Sequence, residues 1–182
     1  QSIAIRAHGQ APIDHIFGIH VTTNNKPIAI TIFDDSMEMT NAGGSWDLFA
    51  DQLVPVNLIG KEYIILKGNV QDVAAVTVDG EAIFITPTQN GTSIWVDNVL
   101  QTAIPLNAGD YFQWNVPSVA LSGKVYHYIR ADHPVYVNHV TGYGNLAAGT
   151  RELGGAVLPT IDGCTGSNTV TVKRTPALSS FR

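Results

Sequence analysis

The chain has 182 residues, 45% of them hydrophobic and only 14% charged, and its formal net charge is −5. The length fits one domain over residues 1–182 with a sizeable core, and the low charged fraction is typical of extracellular β proteins. The negative charge and the scattered lysines and arginines argue against a nucleic-acid partner, and the lack of a long apolar run argues against membrane insertion.

Alternation of apolar and polar residues with a period of two dominates the chain, and β-branched and aromatic residues carry it. In chain order the pattern predicts strands at residues 2–7, 13–21, 27–33, 62–67, 73–78, 81–86, 93–97, 111–116, 124–130, 134–141 and 169–173. Many short strands joined by turns predict an all-β, antiparallel, sandwich-like fold, with a propeller-like or barrel arrangement as the alternative.

Turn chemistry marks several connections between these strands. Asp79-Gly80 is the strongest hairpin signal, because both residues tolerate positive φ. Asn90-Gly91 and the segment 107–110 are weaker signals of the same kind.

One segment, residues 45–53, has the pattern of a helix. Ser45 would cap this helix, and Trp46, Phe49 and Leu53 would then lie on one face. We therefore expect a short helix within the otherwise all-β chain.

The chain also repeats itself with a period of about 105 residues. Segments 25–30 and 132–137 align, each with a proline at the start of a predicted strand, and a second proline and a further strand follow in the same order. Proline suits this position because it has no N–H to donate to a strand ladder. We therefore expect partial repeat units at residues 1–67 and 108–182 around a shared core.

Several segments resemble a known family. They read Lys-Pro-Ile-Ala-Ile at 26–30, Asp-Gln-Leu-Val-Pro-Val at 51–56, Ile-Gly-Lys-Glu-Tyr-Ile at 59–64, Pro-Val-Tyr-Val-Asn-His-Val-Thr-Gly at 134–142, Glu-Leu-Gly-Gly-Ala-Val-Leu-Pro at 152–159 and Cys-Thr-Gly-Ser at 164–167. Together they resemble the IgGFc-binding-type N-terminal domain, found in large secreted surface proteins of bacteria, notably of Bacteroidota. The resemblance implies an extracellular or cell-surface location and a binding role, and it names no ligand.

The cysteine content departs from the pattern of that family, whose members usually carry further cysteines before the segments at 51–56 and 152–159. Cys164 is the one cysteine of this chain, so it has no intrachain disulfide partner. A nucleophilic role would require a nearby histidine base, which the sequence does not indicate. Gly-x-Ser-x-Gly and phosphate-binding loops are also absent, so we expect no enzymatic activity and no cofactor.

An acidic segment and six histidines are the candidates for metal binding. Asp34 and Asp35 offer oxygen ligands to calcium, but they lack the spacing of a calcium loop, so a solvated loop is the favoured interpretation. His127 and His139 are predicted to meet across a hairpin, yet a zinc site would need a third ligand. Structural or interface roles are favoured for His8, His15, His20, His127, His133 and His139.

Aromatic residues are the remaining candidates for ligand contact. Trp46 and Tyr143 are predicted to lie in glycine-rich loops, where packing under the loop is favoured and contact with a protein or glycan is the alternative. Trp95 and Trp114 lie in predicted strands and are expected to pack in the core. Trp46, Tyr143, Asp34 and Asp35 are thus the candidate binding residues.

Two functional interpretations follow from these observations. The first is a non-enzymatic extracellular module of a larger bacterial adhesin-like protein that binds a host or environmental protein or a glycan. The second is a structural repeat or filament subunit that mainly self-associates, since an incomplete repeat leaves strands without partners. A hydrolase with dispersed carboxylates is a third, weaker interpretation.

Overall fold

The computed structural model describes residues 3–6, 18–38, 46–67, 81–117, 122–141 and 154–163, with 34–38 and 46–48 described by their backbone alone. Ten strands and a short 3-10 turn, Val56–Leu58, lie in these segments. The strands are β1 (Ile30–Glu38), β2 (Trp46–Leu53), β3 (Glu62–Leu66), β4 (Glu81–Pro87), β5 (Ile94–Val96), β6 (Val99–Leu100), β7 (Phe112–Asn115), β8 (Tyr126–Ala131), β9 (Val135–Thr141) and β10 (Gly154–Val157).

These strands form two four-stranded sheets and one hairpin. The first sheet has the order β3-β8-β5-β6, the second sheet has the order β10-β9-β4-β7, and β1 pairs with β2. Every pair is antiparallel, and none of the described sheets closes into a barrel. The prediction of an all-β, antiparallel, sandwich-like fold is confirmed.

The core lies between the two four-stranded sheets. In β3, β4, β8 and β9, alternate side chains point inward, as the pleat of a strand requires, and most of them are almost fully buried. Burial of each large aliphatic side chain is worth about 1.5–3 kcal/mol relative to exposure. The buried cluster consists of Tyr63, Ile65, Ile83, Ile85, Ile94, Val96, Val116, Ile129, Ala131, Val135 and Val137.

The β1–β2 hairpin and the residues after it cover part of the outer face of the second sheet. Phe49 of β2 is only 8% exposed, and its ring lies against Gly155 of β10. Two hydrogen bonds fix the contact: the Val157 N–H donates to the Asp51 carboxylate, and the Tyr136 hydroxyl donates to the Val54 carbonyl. The second sheet is therefore packed against on both faces.

The helix prediction for residues 45–53 is wrong, because this segment forms β2. Its backbone pairs with β1 from Ile30 opposite Leu53 to Glu38 opposite Trp46. Each hydrogen bond of that ladder replaces one that a helix would have made, and Phe49 then packs on a neighbouring sheet. Tertiary pairing therefore overrides the local helical pattern here.

The strand predictions succeed in the two four-stranded sheets. Strands β3, β4, β5, β7, β8 and β9 are confirmed within two residues at their ends, whereas β6 and β10 were not predicted. In the N-terminal part, β1 begins at Ile30 rather than 27, and the described residues 3–6 and 18–21 are not in strands. Predictions for 73–78 and 169–173 lie outside the described residues, and the internal repeat stays a prediction.

The turns predicted at Asn90-Gly91 and at 107–110 are confirmed, but neither joins the two strands of a hairpin, because the strands on either side belong to different sheets. Gly91 has φ +78°, and its turn joins β4 of the second sheet to β5 of the first. Asp97 and Asn98, with φ of +50° and +67°, form the two-residue hairpin turn between β5 and β6, and the sequence analysis missed it. Asp79-Gly80 lies outside the described residues.

The segment after β10 closes one edge of the first sheet. The Ile161 N–H and the Thr160 hydroxyl both donate to the Glu62 carbonyl at the start of β3. The Asp162 carboxylate accepts the Lys61 N–H, and Gly60 permits this approach because a Cβ there would overlap side-chain oxygens of this segment. The part of the β3 edge that is left free to pair with another strand is thereby shortened.

Replacement of Gly155 by alanine tests the position of the hairpin. A Cβ at this site would overlap the Phe49 ring, so we expect Gly155→Ala to lower the free energy of unfolding by about 1–3 kcal/mol. The cost should fall to a small fraction in a Phe49→Ala background, measured by denaturant titration of the four proteins. Equal costs in both backgrounds would contradict the packing of Phe49 on β10.

Candidate binding surface

The outer face of the first sheet carries a row of apolar and aromatic side chains. Because Tyr63, Ile65 and the alternate residues of β8 point inward, their neighbours point outward. Leu66, opposite Tyr126 in the strand register, is 69% exposed, and Tyr126 itself is 56% exposed. We call this surface the open face; its apolar and aromatic residues are Ile64, Leu66, Trp95, Leu100, Tyr126 and Tyr128.

A cation–π contact holds the centre of the open face. The Arg130 guanidinium carbon lies 3.9 Å from the centroid of the Trp95 ring, and the two residues are cross-strand partners on β8 and β5. Contacts of this kind are worth about 0.5–1 kcal/mol at exposed sites. Glu62 lies opposite Arg130 on its other side, and Leu100 lies opposite Trp95 on β6. A single row across the sheet thus combines an acidic, a basic, an aromatic and an aliphatic side chain.

The hydroxyl of Tyr128 is held in its neutral form on this face. Burial, followed by the hydrogen bond to Glu62 and the charge of Glu62, raises the pKa of Tyr128 above its ordinary value. A tyrosine is already protonated near neutral pH, and Tyr128 accordingly offers an O–H group on this face. Aromatic residues with a polar tip are common at protein–protein contacts for this reason.

Asp97 is an ion-pair centre in the turn that ends the open face. Its carboxylate accepts the Tyr128 N–H at 3.0 Å and the Lys124 ammonium at 2.7 Å, and it contacts His127 Nδ1 at 2.8 Å. Burial alone would raise the pKa of Asp97, but these hydrogen bonds and the nearby histidine outweigh burial and lower it to about 2. The carboxylate fixes the β5–β6 turn to β8.

His127 connects this turn to the interior between the sheets. Its side chain is buried, and its ring meets Trp114 edge-on at 5.0 Å between centroids. Nε2 is also buried and has no hydrogen-bond partner in the described part of the chain. With Nδ1 on Asp97, His127 acts as a packed structural histidine.

A second charged cluster lies inside the sandwich. The Lys67 ammonium is 3.0 Å from Oε2 of Glu81, and Nε2 of His139 is 2.9 Å from Oε1 of the same carboxylate. The side chains of Lys67 and Glu81 are 3% and 0% exposed. Burial of three titratable groups at one point requires close mutual pairing, because unpaired charges are costly in an apolar interior.

Three of the four predicted binding residues lie on the β1–β2 hairpin, and their role in binding stays a prediction. Asp34 and Asp35 lie within strand β1, so the prediction of an acidic loop there is wrong: the β1–β2 ladder extends through Asp34 opposite Phe49. Trp46 is the first residue of β2 rather than part of a loop. Tyr143 and Cys164 lie outside the described residues.

The expectations for the other aromatic and histidine residues are partly wrong. Trp114 packs against the core as expected, but Trp95 lies on the open face beside Arg130. His127 and His139 do not pair across a hairpin, because β8 and β9 belong to different sheets.

Lys67 and Glu81 were not predicted from the sequence, although a signal was present. Both extend an inward-facing alternation by one step, Lys67 after Tyr63 and Ile65, and Glu81 before Ile83. His139 follows Val135 and Val137 in the same way. Charged residues at inward positions of an apolar alternation therefore mark a buried polar cluster.

Neither a metal-holding cluster nor a membrane-spanning helix is present in the described residues. Within those segments, no three His, Cys, Asp or Glu side chains are placed to hold a metal ion. Among the helices described, none has the length and apolar character to cross a membrane.

Comparison with known proteins identifies one family. A family model described as IgGFc binding protein matches residues 4–177, which confirms the resemblance found in the sequence. No curated protein and no solved structure matches the chain.

Substitution of Asp97 tests its ion pairs through their pH dependence. The lowered pKa means that the carboxylate stabilises the fold fully above about pH 4, and that this contribution is lost as the pH falls toward 2. We expect Asp97→Asn, which keeps the turn conformation, to lower the free energy of unfolding by about 2 kcal/mol at pH 7. The deficit should shrink at pH 2. An equal deficit at both pH values in denaturant titrations would contradict the assignment.

Proposed function

Because the chain belongs to the IgGFc binding protein family, we propose that it is an extracellular binding module that recognises a protein partner through the open face. The proposal includes a non-enzymatic role within a larger adhesin-like protein at a bacterial cell surface. The observation that carries it is the composition of the open face: exposed aromatic and aliphatic side chains surround an arginine stacked on tryptophan.

The contrast between the two sheets supports this choice of surface. The hairpin packs on the outer face of the second sheet, where Phe49 and Val140 are buried. On the first sheet, by contrast, Leu66 and Tyr126 remain more than half exposed. A contiguous patch of exposed apolar side chains on a folded protein often marks an interaction site.

The geometry favours a protein over a glycan as the ligand. Sugar recognition by tryptophan uses a free ring face, but the Arg130 guanidinium covers one face of Trp95. On β6, Leu100 is the cross-strand partner of Trp95. Tyrosine, tryptophan and arginine together are the residue types enriched at the energetic centres of protein–protein contacts.

Self-association is the alternative function, and the edges of the first sheet bear on it. β6 has two residues and β3 has five, and the segment 160–162 already occupies the carbonyl of Glu62 at the start of β3. Short, partly covered edges are poor templates for strand addition from a second chain. We therefore propose side-chain recognition by the sheet face in preference to edge pairing.

Binding measurements on immobilised chain test the proposal. We expect at least one protein in a panel of immunoglobulin Fc, mucins and extracellular matrix proteins to bind, while a glycan array stays blank. Measured mass in solution should stay that of a monomer across concentrations. Glycan binding with no protein binding, or a concentration-dependent assembly with neither, would contradict the proposal.

Substitution on the open face then locates the site. Leu66→Ser combined with Tyr126→Ala should weaken binding by about 30-fold or more, since a central contact is worth about 2 kcal/mol. Phe33→Ser is the matched control, because Phe33 is 60% exposed but lies on the β1–β2 hairpin. Equal effects of the two changes, measured by surface plasmon resonance with folding checked by circular dichroism, would place the site elsewhere.

A further inference from the structure

Lys67, Glu81 and His139 form a cluster whose geometry suits a covalent reaction. Lys67 follows β3 in the first sheet, and its N–H donates to the Val125 carbonyl, whereas Glu81 opens β4 in the second sheet. Their side chains meet across the interior, with Nζ 3.0 Å from Oε2, and both are almost fully buried. His139 contacts the other carboxylate oxygen at 2.9 Å and is 12% exposed.

Burial changes the chemistry of an amine beside a carboxylate. In water both groups are ionised and unreactive toward one another, since an ammonium has no free electron pair. Burial disfavours the charged forms, and transfer of one proton from Lys67 to Glu81 would leave a neutral amine beside a neutral acid. Held in contact, the two groups react as an intramolecular pair, for which effective concentrations are very high.

We propose that Lys67 and Glu81 condense to an intramolecular amide, with His139 as the catalytic residue. The electron pair of Nζ attacks Cδ of the protonated Glu81, and the oxyanion that forms on Oε1 accepts a hydrogen bond from Nε2–H of His139. Nζ then gives up a proton to the Oε2 hydroxyl, which leaves as water. The product is a Lys–Glu amide and one water molecule, and no oxidant or cofactor is consumed.

The position of this bond gives it a structural purpose. It joins the first sheet to the second and closes the chain segment from Lys67 to Glu81 into a covalent loop. A link of this kind restricts the unfolded chain as a disulfide does. With one cysteine, the chain cannot make an internal disulfide for the same purpose. The amide would keep the two sheets joined when a bound partner protein exerts force on the domain.

Intact-mass measurement of the purified 182-residue chain tests the proposal. We expect a mass lower than that of the sequence by one water molecule. Tandem mass spectrometry of a tryptic digest should show a branched peptide that joins Lys67 to Glu81, with no cleavage after Lys67. An intact mass equal to that of the sequence would overturn the proposal, whether or not the chain binds a partner protein.

Two variants separate this amide from other losses of water. Asp79-Gly80 is a sequence that can lose water by cyclisation, so the position of the loss matters. Lys67→Arg keeps a positive charge opposite Glu81 but removes the amine, and its mass should equal that of its sequence. His139→Gln keeps both reacting groups, and most of this variant should remain unlinked after purification. A water loss that persists in Lys67→Arg would overturn the assignment, as would full linkage in His139→Gln.

Discussion

The packing of two four-stranded sheets on each other is the constraint on which the rest of this structure depends. Each strand exposes alternate side chains on opposite faces, so the burial of one face in a shared core leaves the other to be covered or used. The second sheet has its outer face partly covered by the β1–β2 hairpin, with Phe49 on Gly155. The first sheet keeps an outer face of exposed aromatic and aliphatic groups, and the account of function rests on that asymmetry.

The same alternation explains why charged groups lie inside the sandwich. The inward-facing series of β3, β4 and β9 each run one residue beyond their apolar members, to Lys67, Glu81 and His139. These groups meet because Glu81 begins β4, His139 lies diagonally opposite it on β9, and Lys67 follows β3 in the facing sheet. Glu81 pairs with both of the others. The interior between the sheets is therefore polar where these three groups meet. At the β5–β6 turn, the Asp97 carboxylate likewise pairs with Lys124 and His127.

The fold was largely predictable from the sequence, whereas the candidate site was not. Period-two alternation and β-branched residues located β3, β4, β8 and β9, since these strands bury one face. The sequence pattern gave a wrong prediction at β2, because pairing with β1 overrides its helical spacing. It gave no prediction at β10, because the glycines of that strand are explained only by the Phe49 ring that packs on them. Trp46, Asp34 and Asp35 were chosen as loop residues and lie in strands. The open face depends on which sheet is left uncovered, and sequence periodicity carries no information on that choice.

The proposed binding role depends on the open face. Hydroxyl-radical footprinting of the chain, alone and with a bound partner protein, tests this most directly, because side-chain reactivity reports solvent contact residue by residue. The account predicts that Tyr126 and Leu66 lose reactivity in the complex while Phe33, on the hairpin, keeps it. Protection of Phe33 with Tyr126 and Leu66 unchanged would contradict the account.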